Sequence, residues 1–148
     1  MKIRLQSFLR LFQAPQKKTK NGHSVNWSQD KVRSTIRQMD DFMELRQPYL
    51  QSGYNIKRLA DELKIPSYQL SALLNRQVGS NFNDYLNRYR VKYCKDLIHE
   101  GSVSNLNLKG LSAKCGFSNR NTFTTAFKKF TGRTPSDYAR NFQTIQEL

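Results

Sequence analysis

Arg120, Asn121, Thr124 and Thr125 fall within six residues and bring together a forked cation, a carboxamide and two side chains that carry both a hydroxyl and a methyl group. These groups bind edges. Arginine forks onto the two acceptors of guanine, asparagine pairs with the acceptor and donor of adenine, and threonine packs on a thymine methyl. Lys128 and Lys129 follow as point charges suited to phosphate oxygens. Earlier in the chain Tyr68, Ser71, Ala72 and Asn75 form an uncharged set of the same kind, with Lys57, Arg58 and Arg76 around them as further phosphate ligands.

Bond-breaking chemistry has no comparable set. The histidines are His23 and His99, and neither stands near a carboxylate pair, a metal-ligand spacing or a nucleophile elbow. Glycine-rich phosphate loops are absent. Cys94 and Cys115 are isolated in sequence, occupy small-residue positions in predicted helices and are expected to be buried, inert thiols. The chain is therefore expected to have no catalytic residue, metal site or cofactor, and not to be an enzyme.

The elements that must position the contact groups occur twice. Leu59-Ala60, Leu70, Leu74, Gly79, Phe82 and Tyr85 are answered by Leu111-Ser112, Phe123, Phe127, Gly132, Pro135 and Tyr138. The offset is 52 residues for the first pair and 53 thereafter, so the second turn holds one extra residue. A repeat of this size is one supersecondary unit used twice. In the first copy Ile56, Leu59, Ala60 and Leu63 make the inner face of a helix that begins at Asn55 and stops at Lys64-Ile65-Pro66. A second helix starts at Ser67 and packs Leu70, Leu73 and Leu74 inward. At 100° per residue Tyr68, Ala72 and Asn75 then face outward, with Ser71 on the flank. Ala60 lets the two backbones cross closely.

In the second copy Leu111, Ser112 and Cys115 face inward, Gly116-Phe117 forms the turn, and Ser118 or Asn119 caps the next helix. Phe123, Ala126, Phe127 and Phe130 are its packed side. Asn121, Thr125 and Lys128 point away, Thr124 flanks them, and Arg120 sits at the N-terminal end nearest a groove floor. Between the copies a helix over Phe82 to His99, stopped by Gly101, would run about 27 Å at 1.5 Å per residue. That length suits two reading heads near the ~34 Å repeat of successive major grooves. Arg88, Arg90, Lys92 and Lys95 decorate it. Arg90 is flanked by apolar residues and is open to two roles, a phosphate contact or an internal tie.

Ahead of the repeats, Val32, Ile36, Met39 and Met43 step by helical spacing from Ser28 to Arg46, behind a cap at Asn26 or Ser28 and before Pro48. The charges of this helix balance, so it is expected to pack over the first repeat or to pair with another copy. The chain thus reads as all-α. A basic arm and linker span 1–26, an amphipathic helix 27–48 and a double helix-turn-helix domain 49–148. That domain comprises a first motif over 49–80, a linking helix over 81–101 and a second motif over 102–148. The arm's start, MKIRLQSFLRLF, is open to three readings: a loosely ordered arm, a docked helix or a membrane-surface anchor.

Charge supports a polyanionic partner. There are 25 Lys and Arg against 11 Asp and Glu, a formal net charge of +14. The arm holds six basic and no acidic residues, 55–101 eight against five, and 102–148 seven against two, whereas 27–54 balances four against four. The excess therefore lies where the arm and the repeats are. No run of apolar residues is long enough for a membrane span and no signal peptide is legible, so a cytoplasmic location is expected. Sequence-specific binding of double-stranded DNA is the leading expectation. A non-specific architectural protein that binds DNA or RNA through the same basic surface is the alternative.

The stretch GFSNRNTFTTAFKKFTGRTPSDY, Gly116 to Tyr138, resembles the signature of the AraC/XylS family of bacterial transcription regulators. The likeness extends over roughly Tyr49 to Arg140 and is specific, because GF, the Phe123 and Phe127 pair, FKK, Gly132 and TPSDY fall in register together. It implies two helix-turn-helix units in adjacent major grooves, with recognition helices near Ser67 to Asn75 and Asn119 to Lys129. It also implies double-stranded DNA as partner, with RNA polymerase a further candidate and a sensor domain expected outside this chain. Three positions depart from the family pattern: Ser112 stands for the usual alanine, Lys64 for a frequent glycine and Asn119 for a common serine cap.

Overall fold

The computed structural model describes residues 26–101 and 107–146, so the basic arm, with His23, lies outside them apart from Asn26. Among the described residues every regular element is helical. In chain order these are α1 (Gln29–Arg46), a 3-10 turn (Pro48–Leu50), α2 (Ile56–Leu63), α3 (Ser67–Leu73), a π turn (Leu74–Val78), α4 (Phe82–His99), α5 (Leu108–Lys114), α6 (Arg120–Thr131) and α7 (Pro135–Gln146). They fall into two compact units, one formed by 26–38 with Asn55–Phe82, the other by Met39–Tyr54 with 83–146.

α1 begins where the Ser28 hydroxyl accepts the Lys31 amide at 3.3 Å, which selects Ser28 over Asn26 as the cap. It ends before Pro48, with Gln47 in the left-handed region at φ 48°. In the first unit the Asn55 carboxamide accepts the amides of Lys57 and Arg58 at 3.0 and 3.2 Å and starts α2. Leu59, Ala60 and Leu63 of α2, with Leu70 and Leu73 of α3 and Leu74 beyond it, are buried as the spacing requires. One departure follows α3. The chain widens into the π turn over Leu74–Val78 before Gly79 ends it. Leu74 and Val78 are both buried, so the extra residue in that turn is absorbed while both keep their place inside. The regular helical face expected to run through Asn75 therefore stops at Leu73.

The second unit is built on α4. Val91, Cys94, Leu97 and Ile98 of α4 pack with Leu111, Cys115, Phe117, Phe123, Ala126 and Phe127 in one buried cluster. Both cysteines are buried, as expected. A hydrogen bond to Cys115 and burial push the Cys94 thiol far above its ordinary range, which leaves it without thiolate reactivity. Ser112, the departure from alanine, is 3% exposed, and its hydroxyl donates to the Lys109 carbonyl at 3.0 Å. A small buried polar group is thereby satisfied at no loss of close packing.

α7 lies beyond the elements that apolar periodicity predicts. The Thr134 hydroxyl accepts the Asp137 amide at 3.2 Å and donates to the Asp137 carboxylate at 2.5 Å, with Pro135 at the first helical position. Thr134 thus caps the helix ahead of a proline at its first position, and both signals were legible. The repeat itself equates Pro135 with Phe82, where α4 begins.

Polar ties, invisible to periodicity, hold α1 and the 3-10 turn to α4 within this unit. The phenols of Tyr85 and Tyr89 both donate to Oδ1 of Asp40, at 2.8 and 2.9 Å, and Asp40 is only 7% exposed. Arg90 donates from Nε to the Tyr49 carbonyl at 2.7 Å and from its terminal nitrogen to the Gln51 carbonyl at 3.2 Å, while its guanidinium lies over Phe117. Of the two roles open to Arg90, the structure shows the internal tie.

The repeat also equates Lys64 with Gly116, and both adopt left-handed backbone, at φ 57° and 81°. Conformation alone does not demand glycine in both. A Cβ on Gly116 would lie 2.3 Å from the Tyr49 carbonyl oxygen, whereas Lys64 is exposed. We expect Gly116→Ala to destabilise the protein by about 2–5 kcal/mol in urea unfolding, because backbone must move. Lys64→Gly is expected to stabilise it by less than about 1 kcal/mol, relieved strain outweighing added chain entropy. Comparable losses at both positions would refute the close approach as the cause.

Burial raises the Asp40 carboxyl above its ordinary value, against the lowering effect of the two tyrosine bonds. A carboxyl raised on folding binds its proton more tightly in the native state, so its contribution to stability grows as pH falls from neutral through the folded value toward 3.8. Asp40→Asn retains the acceptor and is expected to lose that gain, which the difference between wild-type and variant unfolding curves across this range measures. Asp40→Ala strands two buried hydroxyls and is expected to cost about 2–4 kcal/mol.

Candidate nucleic-acid interface

Each unit has its own surface that could meet a nucleic acid. In the first, Lys57 and Arg58 are exposed on the first turn of α2, held there by the Asn55 cap. Tyr68 on α3 is 54% exposed, unusual for a large aromatic side chain, and its hydroxyl accepts a hydrogen bond from Gln69 at 3.2 Å. Ser71 and Ala72 are half-buried, so the outward face is narrower than the 100° rotation implied. Asn75 and Arg76 are exposed but belong to the π turn. The Asn75 amide reaches back to the Ser71 hydroxyl at 3.4 Å, joining the turn to α3.

In the second unit the Asn119 carboxamide accepts the Thr122 amide at 2.8 Å and starts α6. Asparagine thus fills the serine position of the family pattern without loss of the cap. Phe123, Ala126 and Phe127 are buried and Phe130 half-buried, as expected for the packed side. Arg120, Asn121, Thr125 and Lys128 are exposed, and Thr124 is half-buried on the flank. One end of this helix therefore displays a guanidinium, a carboxamide and a threonine, with aromatic rings anchoring the opposite side. Such a row can form bidentate hydrogen bonds to base edges.

Lys129 differs from its neighbour. Its ammonium contacts both oxygens of the Asp84 carboxylate on α4, each at 2.7 Å. Nothing in the sequence marks out Asp84, since an acid in a helix's first turn is ordinary. On the linking helix Lys92 pairs with Asp96 at 2.9 Å. His99 shares a 3.0 Å hydrogen bond with the Tyr138 hydroxyl and stacks on Phe142 at 4.4 Å between ring centres, joining the end of α4 to α7. No helix of the described residues is long and apolar enough to cross a membrane. No group of three or more potential metal-ligating side chains occurs among them.

A family profile described as "Helix-turn-helix domain" matches residues 59–141. The chain is 27% identical over 105 residues to the HTH-type transcriptional activator RhaR of Yersinia pseudotuberculosis serotype O:3, a match covering 71% of this chain and 35% of RhaR. It is 30% identical over 89 residues to RhaR of Escherichia coli K12, covering 60% of this chain and 30% of that one. The chain thus spans about a third of the length of these curated relatives. Among solved structures, it is similar to the C-terminal domain of the two-component response regulator yesN from Fusobacterium nucleatum. The TM-score is 0.60 and the identity 26%, over 72% of this chain and 98% of that one. The matched residues make up more than half of the sequence, and the chain accordingly belongs to the AraC/XylS family of bacterial transcription regulators, of which it carries the double helix-turn-helix DNA-binding region.

Proposed function

We propose that this chain binds double-stranded DNA sequence-specifically as the reading part of a bacterial transcription regulator, with α3 and α6 each entering a major groove. The observation that carries the reading is the exposed row of Arg120, Asn121 and Thr125 on α6, backed by buried Phe123 and Phe127. Its chemistry is that of base-edge recognition, and the family is one of regulators rather than enzymes. In the first head Tyr68 and Asn75 supply the exposed contacts, with Ser71 and Ala72 at their edge. None of these is charged, so α6 with Thr124 and its forked arginine carries more of the discrimination.

Lys57, Arg58, Arg76 and Lys128 supply phosphate contacts, and with them the salt-sensitive share of affinity. A protein acting in this way works in the bacterial cytoplasm, where its DNA is. Activation, which the name of the RhaR relatives specifies for them, would add RNA polymerase as a second partner here. A sensor domain, if this regulator has one, would be contributed by residues other than those described.

In vitro selection of duplexes at moderate salt tests the reading. The expected product is a site with two preferred blocks about one helical turn apart. Equal binding of the selected and a scrambled duplex at every salt concentration would overturn it. Arg120→Ala is expected to weaken binding to the selected site by about 1–3 kcal/mol while leaving scrambled duplex nearly unaffected. Equal loss on both would make Arg120 a phosphate ligand instead.

A further inference from the structure

The pair formed by Asp84 and Lys129 has a geometry that its contribution to folding does not explain. The ammonium sits between two carboxylate oxygens at 2.7 Å each, on side chains 55% exposed for Lys129 and 26% for Asp84. Ion pairs so accessible to water add little to stability. Their position is more telling. Lys129 stands in the last turn of α6, beside exposed Lys128, on the helix that offers its other end to base edges. Asp84 stands in the first turn of α4. The Lys129 ammonium also lies over the Phe130 ring at 5.8 Å, and the Arg88 guanidinium over the same ring at 5.3 Å. Two cations and one carboxylate thus gather around one aromatic edge; the carboxylate contacts the lysine directly and also acts electrostatically on Arg88.

Resting on the DNA-binding reading above, we propose that Asp84 tunes affinity for DNA: by holding Lys129 in an internal pair it withholds one cation of the second recognition helix from the phosphate backbone. Each lysine that neutralises a phosphate releases condensed counterions and steepens the fall of affinity with salt by about 0.9 in the log–log slope, whatever the base sequence. A lysine already neutralised by a carboxylate makes no such contribution. Asp84 therefore limits how tightly the protein holds any duplex, target or not, and leaves the base-reading end of α6 to determine preference.

Salt titration of binding to the selected and the scrambled duplex tests this. Asp84→Asn is expected to steepen the slope by about 0.9 on both duplexes and to tighten binding several-fold at low salt. The double variant with Lys129→Gln, which removes both charges of the pair, is expected to return to the wild-type slope. Glu100→Gln, which removes the same charge just beyond the far end of α4, is expected to leave the slope as it was. An unchanged slope in Asp84→Asn overturns the proposal. A double variant that stays steep, or an equal rise in Glu100→Gln, overturns it as well, assigning the gain to another cation or to net charge. Asp84→Ser removes the same charge and is expected to steepen the slope equally, which keeps the test readable if Asp84→Asn folds poorly. Loss of sequence preference in the wild type would sink the preceding reading alone, because the slopes are also read on scrambled duplex.

Discussion

Helices of seven or eight residues do not persist alone in water, yet α2, α3 and α5 are that short. They hold because each packs its apolar side closely on a partner across a left-handed turn, α2 on α3 in one unit and α5 on α6 in the other. The crossing needs small side chains, and Ala60 and Ser112 provide them. Burying one face of each pair leaves the other outward, so the packing constraint also decides what is displayed. Rings such as Phe123 and Phe127 go in, and Arg120 and Asn121 remain for a partner.

Apolar packing is indifferent to small slips of register, and in the second unit hydrogen bonds remove that freedom. Asp40 can accept both phenols only if α1 sits at one height on α4, and Arg90 can reach two carbonyls only if the 3-10 turn lies where it does. Leaving any of these groups buried and unpaired carries a desolvation penalty. The Tyr49 carbonyl joins this frame to the second reader, because it accepts from Arg90 and is also the atom that a side chain on residue 116 would strike.

The chain's tally of Lys and Arg overstates how many cations its folded surface leaves without an internal contact. Arg90 is buried in a structural role, Arg88 is laid over Phe130, Lys92 is paired with Asp96 and Lys129 with Asp84. Composition counts these four cations like any others, but in the fold each has an internal contact. What distinguishes them from Lys128 is a partner on another element or a neighbouring turn, not residue type.

Much of the architecture was readable along the chain. The repeat located both readers, and the bounds of α4 agree with the stretch from Phe82 to its glycine stop. The caps at Ser28, Asn55 and Asn119 stand where short polar side chains precede apolar periods, and the threonine cap of α7 was equally available. All of these depend on neighbours within one or two turns, which sequence spacing records. The tertiary structure alone decided the π turn after Leu73, the two tyrosines that converge on Asp40, the carbonyl that requires glycine at 116 and the pairing of Lys129 with Asp84. Three of these join residues some 40 to 70 positions apart, a separation that leaves no periodic trace, and the π turn answers to burial of Leu74 and Val78 rather than to local preference. Chain-local hydrogen bonding and amphipathic spacing thus specified the elements and their outward faces, while long-range packing and the need to satisfy buried polar groups determined which of those side chains remain available to DNA.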